Sequence, residues 1–179
     1  MNEEPHSMDR RAEQLRRAFD QSFEVASHRE TTFTEDFLGI RVAEDPYAIR
    51  LSEISGLFLD KAITRLPGSA SGLVGVAAFR GAIVPVYDLR VLLGYPESGP
   101  PRWLALAVAP TPLGLAFDKF EHHLRVPPET IAKQDTEGQR VHVREIVRTG
   151  ETARPIIHLP SLLNAVTTRA RAVGLNKER

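Results

Sequence analysis

All twelve glycines and all but one of the thirteen prolines fall after residue 37, where they cut the apolar part of the chain into short runs. Glycine weakens a helix interior and proline breaks its hydrogen-bond ladder, so such a segment suits short strands and tight turns. The clearest instance is GVAAFRGAIVPVYDLRVLLG, Gly75 to Gly94. Its runs Leu73–Phe79 and Ala82–Val86 face each other across Arg80-Gly81, a hairpin whose glycine supplies the positive φ of a two-residue turn. Pro85 has no N–H for a ladder, so the second strand is expected at a sheet edge or beside a bulge. Arg80 puts a full charge at the hinge of the most apolar stretch. It is either a solvated tip or one member of a buried or interfacial ion pair.

Other segments follow the same style. Phe37–Val42 and Tyr47–Leu51 read as strands separated by AEDP, whose Asp-Pro pair favours a turn. Residues 52–68, SEISGLFLDKAITRLPG, read as a short helical or extended piece. After Asp88, which suits a helix cap, Leu89–Leu93 makes one helical turn. In WLALAVA, Leu104, Leu106 and Val108 alternate with Ala105, Ala107 and Ala109, a large and small alternation that fits the taper of a small barrel. PLGLAFDKF is a further strand, and HVREIV with ARPIIHLPSLL suggests a closing pair before a final short helix. The expected fold is mainly β: two small barrel-like halves dividing near ESGPPR, residues 97–102. Ahead of them, Met8, Ala12, Leu15, Phe19, Phe23 and Ala26 recur at helical spacing behind Ser7 as a cap, giving an amphipathic helix of about five turns. That helix packs on the protein's own core or docks on another protein. The expected organisation is helix and linker over 1–35, the β domain over 36–168, and a basic polar tail over 169–179.

Composition excludes more than it selects. Twenty-three basic side chains balance twenty-three acidic ones, so nothing electrostatic points to nucleic acid or to an anionic membrane surface. Cysteine is absent, which removes disulfides, thiolate metal sites and a cysteine nucleophile. The N-terminal MNEEPHSMDRR lacks the apolar core of a signal peptide, and a cytoplasmic location is expected. There is no phosphate loop, nucleophile elbow or His-Glu-x-x-His pair. None of His6, His28, His122, His123, His142 and His158 stands in a ligand spacing, so no catalytic residue, metal or cofactor is expected. One chemical alternative is a small-molecule or enzymatic barrel in which Asp118, four residues before His122, orients that histidine beside His123. A solvated loop pair is the commoner arrangement.

The segment GVAAFRGAIVPVYDLR also resembles the signature hairpin of the CheW-like domain, whose usual form is roughly G-V-x-N-x-R-G-x-I-x-P-V-x-D-L. The likeness runs back through ITRLPGSASGLVG to PYAIRL. It runs forward, more loosely, through LGLAFDKFEHHLRVPPETI to PIIHLPSLL, and so spans Phe37 to Val166. The resemblance implies two five-stranded SH3-like barrels with a hydrophobic groove between them, and no reaction. It implies an adaptor of bacterial chemosensory, two-component signalling. One surface would bind the regulatory domain of a CheA-type histidine kinase and another the helical signalling tip of a chemoreceptor, with no nucleic acid and no membrane insertion. Gly75, Arg80 and Gly81 match the family's turn glycines and signature arginine, and Asp88 its following aspartate. Ile54 and Leu57 match apolar positions of its V-x-E-I stretch near the receptor groove. Gly56 stands where the family has glutamate, with Glu53 one turn earlier, and Ala78 replaces the common asparagine. The loss of that glutamate leaves open a paralogue that binds the kinase without coupling receptors.

Overall fold

The computed structural model describes residues 33–67, 71–133, 142–150 and 152–175, with side chains as far as Thr168. The described residues from Thr34 onward belong to one compact unit, separate from the segment before them. The expected N-terminal helix lies outside the described residues, and everything below concerns the unit that begins at Thr34.

The first hairpin joins β1 (Glu35–Val42) to β2 (Asp45–Arg50). Alternation along β1 sends Leu38, Ile40 and Val42 into one core and Phe37 into another, so the strand is covered on both faces. Its turn is Ala43-Glu44, at φ 49° and 68°, rather than the expected Asp-Pro pair; Asp45 and Pro46 already pair with Val42 and Arg41. Two residues at positive φ match the twist of the flanking strands, and this geometry wins over the turn preference of Asp-Pro.

A 3-10 turn (Leu51–Glu53) leads into β3 (Ile54–Leu59). The signature hairpin, β4 (Leu73–Phe79) with β5 (Ala82–Asp88), turns at Arg80 and Gly81 with φ 49° and 84°, as the sequence predicts. The helical turn α1 (Leu89–Leu92) follows, then β6 (Trp103–Ala107), β7 (Leu113–Phe117) and β8 (Lys119–Val126). The chain closes with β9 (Ile131–Lys133), β10 (Val143–Thr149), β11 (Thr152–Ile157) and α2 (Leu159–Leu175). Leu159, Leu162 and Val166 give α2 its buried face at spacings of three and four. The helix continues to Leu175, through most of the stretch read as a polar tail.

These strands form two mixed sheets, in the orders β8-β1-β2-β11-β10-β9 and β3-β6-β7-β5-β4. The fold is therefore mostly β, as expected, with a short sixth strand, β9, on the first sheet. The second sheet is built entirely from the chain between β2 and β8. The Pro- and Gly-rich stretch 97–102 lies inside it, linking α1 to β6, and does not divide the halves; the crossovers are at Leu51–Glu53 and Asp118. Composition marks a loop but does not distinguish a loop within a sheet from a boundary between sheets.

The first sheet curls. Arg154 of β11 places Nη1 2.7 Å from Oε2 of Glu121 on β8, although three strand spacings of a flat sheet would hold those strands about 14 Å apart. Phe37, Leu124, Val147 and Ile156 pack on one face of this sheet, while Phe79, Val84, Val86 and Leu104 form a core on the second. The largest core lies between the two and draws on both: Ile40, Tyr47 and Ile49 from the first, Leu89, Leu115 and Phe117 from the second, with Leu159 and Leu162 of α2. The large and small faces expected of β6 are realised. Leu104 and Leu106 fill the second sheet's own core, and Ala105 and Ala107 let the other half approach.

Candidate interaction surface

A groove of about 620 Å³ opens from the edge of the inter-sheet core. One wall is Pro85 and Tyr87 of β5 together with the β6–β7 turn from Val108 to Leu113; the other is the first turns of α2, from Pro160 to Thr167. Tyr87, Leu113 and Val166 line the groove and also touch the inter-sheet core, so its floor is fixed by packing. Four prolines line it, each an apolar ring without an N–H to satisfy. No lining side chain is acidic or basic, Val108 stands 56% exposed, and burial raises the pKa of the Tyr87 phenol. Pro85 explains part of the shape. Strand β5 is interior, but its parallel ladder to β7 begins only at Val86, and β4 carries a register shift between Leu73 and Gly75. The proline therefore sits where no ladder bond is asked of it. Ile83, two residues earlier, is 76% exposed and extends the apolar stripe toward the hairpin tip.

The residues singled out from sequence occupy three places. Ile54 and Leu57, half-buried on β3, pack against the inter-sheet core. Val108 N–H donates to Glu53 O at 2.8 Å, which joins the start of β3 to the groove's rim. Gly75 is required by close approach: a Cβ there would stand 2.2 Å from Thr64 O, because Thr64 and Val76 exchange backbone hydrogen bonds of 2.8 and 2.9 Å. Arg80 and Gly81 form the tip, and the Arg80 side chain is exposed with no hydrogen bond or ion pair among the described residues. A buried ion pair at this arginine is thus corrected to a solvent-facing guanidinium. Asp88 lies at the far end of β5, about 24 Å along the strand from the tip, and is 3% exposed. It caps α1, its carboxylate accepting from Arg90 N at 2.9 Å.

The buried ion pair of this segment belongs instead to Arg90, which sequence reasoning passed over. Its guanidinium, 3% exposed, donates to Asp88 at 2.7 and 3.0 Å, to Gly99 O at 2.9 Å, to Ser98 and to Asp118 Oδ1 at 3.0 Å. Those pairings raise its pKa, Asp88 above all. The available signal was an Asp-x-Arg at a helix start, which puts both side chains on the same short turn. The partnership with Asp118 is long-range and has no local signature.

The departure at Gly56 also has a physical reason. A Cβ there would lie 2.8 Å from the Phe58 ring, which packs on Phe79 at 4.8 Å between centroids. Glu53 faces the start of α2, where the Leu159 N–H meets its carboxylate. Burial raises the Glu53 pKa, and its Oε2 is enclosed without a partner. The chemical alternative finds no assembled site. Asp118 is spent on Arg90 and on Ala43 N, which donates to it at 2.8 Å. His122 and His123 are exposed on β8, and His123 pairs with Asp36 at 2.8 Å. His158 caps α2 by accepting from Ser161 N at 3.1 Å, and burial followed by Arg144 and Arg50 lowers its pKa. Among the described residues no group of His, Asp or Glu side chains is placed to hold a metal ion.

The groove is thus uncharged and largely apolar, and the polar clusters near it are committed to internal ties. Residues 36–167 match the CheW-like domain, and the chain belongs to that family of non-enzymatic chemotaxis scaffolds and adaptors. The fold agrees with a solved structure, the scaffolding protein TtCheW from Thermoanaerobacter tengcongensis, at a TM-score of 0.64 and 20% identity over 70% of this chain and 89% of that one. No curated protein sequence matches the chain. Among the described residues no helix is long and apolar enough to cross a membrane.

Proposed function

We propose that this protein works in the cytoplasm as an adaptor that couples the signalling tip of a chemoreceptor to the regulatory domain of a CheA-type histidine kinase. The observation that carries the receptor half is the groove: apolar, uncharged, with a floor held by core packing, the kind of surface that accepts the apolar face of a helix. Ile54 and Leu57 pack against the same inter-sheet core that supplies Leu113 and Val166 to the groove. Arg80, exposed at the tip of the signature hairpin beside Ile83, provides a second contact surface, with Gly75, Gly81 and Asp88 shaping the hairpin that carries it. The working unit is residues 36–168, with residues 1–35 as an accessory segment.

A second reading has an observation of its own. Phe58 fills the space beside Gly56, where the family carries glutamate, and this favours a protein that binds the kinase without coupling receptors. Titration calorimetry with a receptor signalling-tip fragment and, separately, with a CheA regulatory domain distinguishes the two. Binding of both supports the adaptor, and Val108→Glu should then weaken only the receptor fragment, since a charge would be buried unpaired against the docked helix. Binding of the kinase domain alone supports the second reading, and binding of neither defeats both.

A further inference from the structure

The two walls of the groove belong to different halves of the molecule. Pro85, Tyr87 and the β6–β7 turn are parts of the second sheet, whereas α2 continues from β11 of the first. The width of the groove is therefore the spacing between the halves. Apolar packing between them supplies adhesion but little direction. Direction comes from polar bonds that cross the junction.

Asp118 is the single residue between β7 of the second sheet and β8 of the first. Its Oδ1 accepts from Arg90, which α1 carries at the end of β5. Its Oδ2 accepts from Ala43 N, in the β1–β2 turn whose two non-glycine residues both sit at positive φ. Arg90 cannot shift to follow Asp118, because Asp88, Ser98 and Gly99 hold its other N–H groups. A second tie runs beside it: Tyr95, just after α1, bonds Tyr47 OH at 2.8 Å and donates to Asp45, both on β2.

We propose that Arg90 and Asp118 form a clasp that sets the spacing between the two walls of the groove, so that both act as positioning residues for whatever the groove holds. Each half is internally complete without the clasp, with its own hydrogen-bonded sheet and core. Breaking the Arg90–Asp118 bond therefore shifts one half against the other rather than melting either. The effect on partner binding rests on the adaptor reading above; the effect on spacing does not.

The absence of cysteine makes the test direct, since two introduced cysteines are labelled uniquely. Spin labels at Ile83→Cys on β5 and Thr168→Cys on α2, both exposed and neither part of the groove lining, report the distance between the halves. In Asp118→Asn, which keeps one acceptor oxygen and removes the charge, the distribution should shift or broaden by about 2 Å or more. The melting midpoint should stay within a few degrees, and Asp118→Glu should return the distance toward that of the parent. Affinity for the receptor fragment should fall roughly two- to thirty-fold in unlabelled Asp118→Asn. An unchanged distance distribution overturns the clasp. So does an Asp118→Asn protein that fails to fold, because the bond would then be a determinant of the fold itself. A shifted distance with unchanged affinity upholds the clasp and defeats the assignment of the groove to the receptor.

Discussion

Replacing Arg90 by methionine keeps most of the side chain's bulk and removes every donor. Asp88, 3% exposed, then keeps only the α1 backbone N–H as a partner for a carboxylate that Arg90 had held in two-pronged fashion. Breaking one side of a buried ion pair costs about 3–5 kcal/mol, because the remaining charge is left without compensation. The carbonyls of Ser98 and Gly99 lose a donor as well, but they lie beside exposed residues and water can replace it. The expectation therefore stays at about 3–5 kcal/mol. For a domain of this size that corresponds to a melting midpoint lower by about 6–20 °C. Equilibrium unfolding in urea, followed by circular dichroism, measures it directly. The double variant Arg90→Met, Asp88→Leu removes the stranded charge and should recover most of the loss, less about 1 kcal/mol for the vanished helix cap. A loss below about 1 kcal/mol in the single variant, the level of an exposed pair, would refute the assignment of Arg90 as a buried hub. A double variant no better than the single would show that the stranded Asp88 is not the cause.

Gly75→Ala forces a methyl into the carbonyl of Thr64, so it should cost about 3 kcal/mol and strip hydrogen-exchange protection from the Val76 amide before that of Val86. Arg80→Ala, with no partner to lose, should change stability by less than about 0.5 kcal/mol while weakening kinase-domain or receptor-fragment binding; unaltered binding to both would remove Arg80 from the interface. His158 accepts the Ser161 N–H only when its Nδ1 is unprotonated, and its folded-state pKa is lowered, so its contribution is present above its unfolded pKa and is lost as pH falls through the folded one. Stability should decline on acidification below about pH 6.5, and His158→Asn, a neutral cap, should flatten that part of the profile.

The signature hairpin was legible because its information is local. Gly81 supplies positive φ, the flanking runs are apolar, and Asp88 precedes a helical turn; all three features appear in the structure. Beyond Phe120 the β8 strand was not legible as a strand, and Asp118 with His122 reads as a solvated loop pair, because KFEHHLRV alternates poorly. A register shift against β1 between Gly39 and Ile40 interrupts its pattern, and His122 and His123 are both exposed, which mimics a solvated stretch. Which strands share a sheet was not legible at all: β2 meets β11 and β5 meets β7 in parallel, and such pairings leave no mark on the residues between them. For the same reason the long-range half of the Arg90 network stayed hidden while its Asp88 half was within reach. The groove was anticipated only through the family likeness, because its walls come from segments far apart in sequence.

The placement of the second sheet inside the first has a consequence for biosynthesis. As the chain leaves the ribosome, β3 to β7 emerge as one uninterrupted block and can assemble at once. Strands β1 and β2, made earlier, have only each other until β8 appears to pair with β1, and β2 lacks its second neighbour for longer still, because Ala48 must wait for Ile156. At ordinary elongation rates that wait lasts roughly 5–20 s. Throughout it, Phe37, Ile40 and Ile49, all fully enclosed in the finished molecule, lack much of their cover. The earliest-made hairpin of the two sheets is thus among the last parts to be completed, and it is where protection by a chaperone on the nascent chain would be most needed.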